Sequence, residues 1–205
     1  YAQINLGGFV QLSASMAFTK RGSENVRLSN GDDTIVTTLA IGINDGFAFI
    51  GYGGYWQDSN GDGRIDESDE PDTSAVGIAI DDLDVGVIVA KELVISAAGA
   101  SVGVYVAVQA DVDEIALVGV PEVTASARDL QLQLNTGLRF FVGTDQFQTD
   151  ASGQALALND GVDVEFGFEV IDFSVATWTD SQGNVKPGYA IETGNPDEPI
   201  LLFYN

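Results

Sequence analysis

Alternation of apolar and polar residues with a period of two is the feature of this sequence that most limits its fold. It is clearest in residues 9–18, 130–134 and 162–170. Successive side chains of a β-strand point to opposite faces, so this spacing indicates half-buried strands. Turn sequences at residues 30–33, 149–153, 159–161 and 180–184 separate the runs, and apolar residues at helical spacing are hard to find. The sequence therefore predicts an all-β chain of about ten to thirteen strands.

A short pattern recurs along the chain, in which an alternating run reaches an aspartate or asparagine. A second apolar run follows most copies, which indicates a strand, an acid-marked bend and another strand. The intervals between copies are uneven, whereas a short-period solenoid would repeat evenly. We expect one β-rich repeat module over residues 1–205, built as elongated, stacked β-layers of a β-solenoid-like kind, with a compact β-sandwich as the alternative. The copies are residues 40–45, 77–82, 106–111, 124–129 and 166–172.

The charge and the missing residue types exclude several classes of function. The chain carries 31 acidic and 8 basic residues, for a formal net charge of −23. Such a field repels nucleic acid and anionic lipid, so neither is an expected partner. Cysteine and histidine are absent, which removes disulfides, thiolate metal sites and histidine-based catalysis. No apolar stretch reaches the roughly 18 residues that a membrane span needs, and we expect no membrane insertion.

Residues 57–71 are predicted to be a calcium-binding insertion, because residues 58–69 match an EF-hand loop at each informative position. The pattern supplies side-chain oxygens at positions 1, 3, 5, 9 and 12 and a backbone carbonyl at position 7. Gly63 allows the sharp turn at position 6, and Ile65 at position 8 can anchor the loop to the core. Hard oxygen donors in flexible geometry suit Ca²⁺ better than Mg²⁺. The candidate ligands are Asp58, Asn60, Asp62, Arg64, Asp66 and Asp69.

The loop departs from an EF-hand in two respects. Position 12 is Asp69, which is shorter than the usual glutamate, so the expected dissociation constant falls in the extracellular class of roughly 0.1 to 1 mM. Neither flank can form the EF-hand helix, since Gly51, Gly53 and Gly54 precede the loop and Pro71 follows it. We therefore expect a loop between strands that acts as a structural staple and not as a sensor.

Three further clusters allow more than one interpretation. The aromatic cluster before the loop is either packed against a neighbouring strand, as we favour, or an exposed platform for sugar rings. The two acidic clusters are either solvated bends, as we favour, or parts of a second calcium site. The clusters are Tyr52 with Tyr55 and Trp56, Asp81 with Asp82 and Asp84, and Asp111 with Asp113 and Glu114.

Taken in order, the strand runs and the loop resemble a known kind of repeat. The similarity rests on residues 9–20, 39–42, 53–63, 76–86 and 116–120. Together they resemble the tandem repeats of giant secreted acidic bacterial surface proteins, which are grouped with calcium-dependent RTX-type adhesins. The loop itself resembles dockerin-type and thrombospondin-type calcium loops. The resemblance implies a secreted, cell-surface location and a structural or adhesive role, and it carries over the loop residues as calcium ligands but no catalytic residues.

We therefore expect a calcium-stabilised structural or adhesive module of a cell-surface adhesin or extracellular filament. A carbohydrate- or surface-binding module is the alternative. A glycan-active enzyme comes third, because no carboxylate pair stands out among so many acids, and we expect no enzyme. Residues 4–18 and 200–204 are apolar strand sequences without a guarding lysine, so we expect them to pair with adjacent copies of the same module.

Overall fold

The computed structural model describes residues 1–65, 68–96, 99–143, 163–195 and 198–204. In these ranges the chain is all-β, as the alternation predicts, with eleven strands and one short 3₁₀ turn at Phe173–Val175. None of the described residues forms a helix with the length and apolarity needed to cross a membrane.

Seven strands form one open antiparallel sheet in which each strand pairs with its neighbours in sequence. Five of them, β2 to β6, are 18 to 21 residues long, and the short strands β1 and β7 lie at the two edges. The strands are β1 (Ala2–Leu6), β2 (Val10–Arg27), β3 (Asp33–Tyr52), β4 (Val76–Ser96), β5 (Gly99–Val118), β6 (Ala125–Gly143) and β7 (Asp163–Gly167).

Two small hairpins follow the sheet. One pairs β8 (Thr177–Thr179) with β9 (Val185–Pro187), and the other pairs β10 (Tyr189–Ile191) with β11 (Ile200–Leu202). Predicted turns at residues 30–33 and 180–184 join β2 to β3 and β8 to β9, whereas those at 149–153 and 159–161 lie outside the described residues.

Four of the five acids that mark the predicted bends lie inside single long strands and not between strands, whereas Asp172 lies beyond β7. Asp45, Asp82 and Asp129 have φ angles of 52°, 50° and 53°, in the left-handed region that aspartate tolerates better than most residues. In β5 the register sets Asp113 opposite both Asp82 and Asp129. The row therefore crosses β5 at Asp113 and not at Asp111, the position that the repeat predicts. The bends therefore form one row across β3 to β6.

One face of the sheet, which we call the covered face, is packed on both sides of this row. Thr19 and Arg21 of β2 bond through their side chains to residues 192 and 190 of the C-terminal segment, residues 168–204. Gln11 and Ser13 bond to the loop of residues 53–75, which joins β3 to β4. These four positions alternate along β2, so both segments lie on the same face.

Burial in β3 shows how the chain keeps that face. Buried side chains take even positions from Thr34 to Asn44 and odd positions at Phe47 and Phe49. The register with β2 shows one extra residue in β3 between Asn44 and Phe47, which is where Asp45 adopts its left-handed φ angle. Because the bulge adds one residue, odd positions after it point to the same face as even positions before it. Both halves of β3 therefore bury side chains on the covered face.

The covered face carries two hydrophobic clusters. The C-terminal segment packs on the larger one and the 53–75 loop on the smaller one. The larger contains Leu28, Val36, Ala40, Ile88, Ala90, Tyr105, Ala107, Ile171, Phe173, Ile191, Ile200 and Leu202. The smaller contains Phe47, Phe49, Trp56, Ile65, Ala75 and Ala79.

A buried ion pair joins four strands next to the larger cluster. The Glu92 side chain is fully buried, and its carboxylate accepts hydrogen bonds from Thr34 Oγ1, from the Tyr105 hydroxyl at 2.9 Å and from Arg139 Nη2 at 2.9 Å. Removing one partner of such a pair leaves an uncompensated buried charge. The network therefore fixes how β3, β4, β5 and β6 lie against one another.

Residues 200–204 do not form an exposed edge strand, contrary to the expectation from sequence. Ile200 and Leu202 are buried in the larger cluster, and β11 pairs with β10 of the same chain. Residues 4–18 form a hairpin, β1 and β2, at one edge of the sheet. The unguarded edge predicted at residues 200–204 is absent because the chain's own sheet buries this strand.

Gly42 tests the docking of the C-terminal segment. A Cβ atom at Gly42 would lie 2.0 Å from the Glu192 carbonyl oxygen, so Gly42→Ala should force the segment away from β3. We expect a loss of about 1 to 3 kcal/mol in the free energy of unfolding, measured by urea denaturation. The control is Gly22→Ala in β2, where a Cβ would meet nothing within 4 Å. Equal stability of the two variants would contradict this packing.

Candidate metal centre

The 53–75 loop is attached to the sheet by hydrogen bonds at Trp56. Its backbone N–H donates to Gln11 Oε1 at 3.0 Å, and its carbonyl accepts from Gln11 Nε2 at 2.8 Å. The indole Nε1 donates to the Ala48 carbonyl at 2.9 Å. Gly53 and Gly54, with φ angles of 101° and 72°, turn the chain out of β3 and into this position.

Two of the three aromatic side chains before the predicted calcium loop are packed, as the favoured interpretation predicts. Trp56 is 8% exposed and meets the Phe47 ring edge-to-face at 5.0 Å, and Tyr55 stacks on Phe49 at 6.0 Å. Tyr52 is 70% exposed and contacts only the partly exposed ring of Phe9 among described rings. A platform of three rings for a sugar is therefore not formed.

Ile65 anchors the far side of the loop, as its place in the EF-hand pattern predicts. Its side chain is 3% exposed and packs in the smaller cluster. Its backbone N–H donates to the Tyr1 hydroxyl at 2.6 Å, and its carbonyl accepts from Ser13 Oγ at 3.3 Å. The loop is thus attached to the β1–β2 hairpin as well as to β3.

The first predicted ligand, Asp58, organises the turn. Its Oδ1 accepts a hydrogen bond from the Gly61 N–H at 2.7 Å, and its Oδ2 accepts one from the Gly63 N–H at 2.9 Å. Both glycines have left-handed φ angles, 76° and 85°, that a side chain would strain. The backbone therefore wraps around this carboxylate.

The same local bonding continues at the third and fifth positions. Asn60 Oδ1 accepts from the Asp62 N–H at 2.8 Å, and Asp62 Oδ1 accepts from the Arg64 N–H at 2.8 Å. The Arg64 guanidinium lies 5.3 Å from the centre of the Tyr1 ring and forms a cation–π contact with it. Residues 58–64 thus form one turn built on three oxygen-bearing side chains.

Asp69 closes the loop onto its own beginning. It is 9% exposed, and its Oδ1 accepts hydrogen bonds from the Ser59 N–H at 2.8 Å and from the Asn60 N–H at 3.3 Å. The twelfth position therefore lies beside the second and third. Asp66, the predicted ligand at position 9, lies outside the described residues.

The loop offers the donor chemistry that calcium prefers, because its candidate ligands are carboxylate, amide and carbonyl oxygens. The carboxylates of Asp58, Asp62 and Asp69 nevertheless do not all lie within 4.8 Å of one another. Each of them accepts hydrogen bonds from backbone N–H groups. Comparison with models of known protein families, with curated proteins and with solved structures gave no match. The assignment of a metal to this chain therefore depends on its own residues.

A second group of acids lies on the row of bends. Carboxylate oxygens of Asp45, Asp82 and Asp84 lie within 4.8 Å of one another, the only such set of three carboxylates among the described residues. Asp84 also pairs across the sheet with Asp111. The two acidic clusters named from sequence therefore meet, and a groove of about 400 Å³ between them is lined by Asp82, Asp84, Asp111, Val112, Asp113, Asp129, Leu130 and Gln131.

Sequence reasoning did not connect Asp45 and Asp129 with these clusters. Both residues lie far from them along the chain and become neighbours only through the strand register. Their one sequence signal is the shared pattern of an alternating run that ends in an acid. Acidic groups often stand together without an ion, so this row does not by itself indicate a metal site.

Burial and the neighbouring carboxylates of the acidic row raise the pKa of Asp84. Its pKa is raised to about 6, first by burial and then by the nearby carboxylates of Asp82, Asp45 and Asp111. A hydrogen bond that the Asp45 N–H donates to Asp84 Oδ1 at 3.1 Å opposes this rise. Ionised Asp84 therefore disfavours the folded state at neutral pH.

Replacing Asp84 should change stability in a pH-dependent way. A raised folded-state pKa means that the native protein binds the proton more tightly than the unfolded chain does. The destabilisation by Asp84 is thus complete above about pH 6 and disappears as the pH falls towards the ordinary value of 3.8. We expect Asp84→Asn to be more stable than wild type at neutral pH by on the order of 1 kcal/mol, because the partly solvated site is screened.

The measurement is urea denaturation in calcium-free buffer over this pH range. The control is Asp113→Asn, which removes one acid from the same row at an exposed position. An advantage of Asp84→Asn that stays the same at every pH would show that the carboxylate's titration is not its cause.

Proposed function

We propose that this chain is a calcium-stapled structural module of a secreted, cell-surface adhesin or extracellular filament, in which copies of the module associate. The observation that carries the proposal is the EF-hand-type loop at residues 58–69. It has the ligand types of a calcium loop, the left-handed Gly63 at the position where such a loop turns sharply, and anchors in the sheet. The resemblance to tandem repeats of giant acidic bacterial surface proteins agrees with this assignment.

The anchors explain why calcium would act as a staple. The loop is attached through Trp56 to β2 and β3 and through Ile65 to Tyr1 and β2. In the described residues no helix flanks the loop, so no helix pair is present that calcium could open. An ion bound at residues 58–69 would draw the separated carboxylates together and hold the loop on the covered face.

The charge of the chain favours a place where calcium is plentiful. With a net charge of −23, the folded chain repels itself, and a bound cation relieves part of this repulsion. A loop with aspartate at position 12 belongs to the class that binds calcium at roughly 0.1 to 1 mM, which extracellular concentrations fill. This match supports the secreted location that the resemblance implies.

The sheet edges support association between copies. β1 pairs only with residues 10–14 of β2, and β7 pairs only with residues 139–143 of β6. Residues 125–134 of β6 are all exposed, and the described part of the chain supplies no further strand beside them. Open strand edges pair readily with other strands. We therefore infer that the stacked β-layers arise between copies, since the described residues form one large open sheet and two small hairpins.

Calcium binding to the loop is tested by calorimetry. Asp58→Ala combined with Asp62→Ala removes two candidate ligands and should abolish calcium binding with a dissociation constant of roughly 0.1 to 1 mM. The control is Asp32→Ala combined with Asp33→Ala, which removes the same charge from the turn between β2 and β3. If the loop variant binds calcium as wild type does, the assignment is wrong.

Calcium should also raise the melting temperature. An ion that binds only the folded chain adds RT ln(1 + [L]/Kd) to stability, about 2.7 kcal/mol at a hundredfold excess over Kd. Adding EDTA to the calcium-loaded protein should reverse the rise, and the loop variant should show no rise at all. A wild-type melting temperature that does not respond to EDTA would refute the staple.

A further inference from the structure

The face of the sheet opposite the covered face, which we call the open face, is apolar across five strands. The register of β2 to β6 arranges its side chains in six cross-strand rows of five residues. All but five of these residues are apolar. Three adjacent rows are Phe18-Ile41-Val87-Val108-Leu134, Met16-Ile43-Val85-Ala110-Leu132 and Lys20-Leu39-Val89-Val106-Thr136. The others are Ser23-Thr37-Lys91-Val104-Leu138, Leu12-Ala48-Ile80-Ile115-Ala127 and Val10-Ile50-Ile78-Leu117-Ala125.

Nothing in the described residues covers this face. Phe18 is 67% exposed, Leu132 is 59% exposed and Ile50 is 61% exposed, whereas the alternate positions of the central strands are buried beneath the C-terminal segment and the 53–75 loop. A solvated sheet face ordinarily carries polar side chains at such positions. An uncovered apolar face of this extent marks an interaction surface.

The area is sufficient for a stable contact. Five strands spaced about 4.8 Å apart, with rows spread over roughly 15 residues at about 3.3 Å each, cover on the order of 1,000 Å². A specific protein interface buries about 800 Å² on each partner. Apolar patches on monomeric proteins ordinarily reach only about 300 to 600 Å².

Charge indicates which partner fits. None of the chain's 31 acidic residues lies in the six rows, and Lys20 and Lys91 are the only ionisable residues there. An anionic lipid surface would be repelled by the rest of the chain. A flat, apolar, acid-free sheet matches best with another such sheet, and the open face of a second copy has this shape and chemistry.

We propose that the open faces of two copies pack against each other to form a two-layered β-sandwich. Sheets that pack face to face lie about 10 Å apart and interdigitate rows of branched side chains, which these rows supply. Lys20 and Lys91 make no ion pair within the described chain, so both can reach acids at the rim of the second copy. The contact rests on the proposed association of copies but does not depend on calcium.

The experiment is sedimentation of the whole chain over a concentration series, with calcium and with EDTA. Val89→Glu combined with Val104→Glu places two charges on the open face, at positions 38% and 39% exposed. The control is Val175→Glu combined with Val185→Glu, the same change at exposed positions in the C-terminal segment. Circular dichroism confirms that each variant retains its strands. We expect dimers for wild type and the control, and loss of the dimer for the open-face variant.

Other results would overturn the proposal. A monomeric wild type would exclude the second copy, and its flotation with phosphatidylcholine vesicles, lost in the open-face variant, would show that lipid occupies the face instead. A dimer that persists in the open-face variant would place the contact elsewhere, for instance at the strand edges. Dimers that form with EDTA, beside calorimetry that shows no calcium bound by the loop, would refute the calcium staple and leave this interface standing.

Discussion

One extra residue in a long strand is the constraint on which the rest of this structure depends. Without the bulge at Asp45, the buried positions of β3 would pass from one face of the sheet to the other at mid-strand. The C-terminal segment and the 53–75 loop would then have to cover opposite faces. Because the bulge preserves the face, both segments lie side by side on it, and no other described residue covers the opposite face.

The sequence was sufficient to predict the strands but not their lengths. Alternation identified β2, β6 and β7, and the repeats located the aspartates of the bends. The sequence could not show that these bends lie within single strands. A bend inside a strand and a tight turn between strands share the same residue, an acid that tolerates a positive φ angle. The change of burial from even to odd positions between Asn44 and Phe47 could not be read from the residues, because apolar residues occupy odd positions on both sides of it. It becomes apparent only once the register with β2 is known.

The metal centre was predictable in part for a similar reason. The EF-hand spacing is local, so the turn around Asp58, the left-handed Gly63 and the buried Ile65 follow from the sequence. The meeting of Asp45, Asp82 and Asp84 is not local, since it depends on the pairing of β3 with β4. The exposed edge expected at residues 200–204 is absent because apolar alternation indicates burial on one face without saying which part of the chain provides the cover.

The late position of the C-terminal segment has a consequence for folding. The sheet pairs each strand with its neighbour in sequence, so it can form by successive hairpins at low loop-closure cost. The segment reaches β2 only through contacts such as that between Thr19 and Glu192, which closes a much longer loop. During synthesis, the half of the sheet that the C-terminal segment later covers, which includes Ile88 and Tyr105, therefore has apolar side chains exposed on both faces for a time. Such an intermediate is prone to aggregation, and mutual repulsion between nascent chains rich in acid is the protection that this composition provides against it.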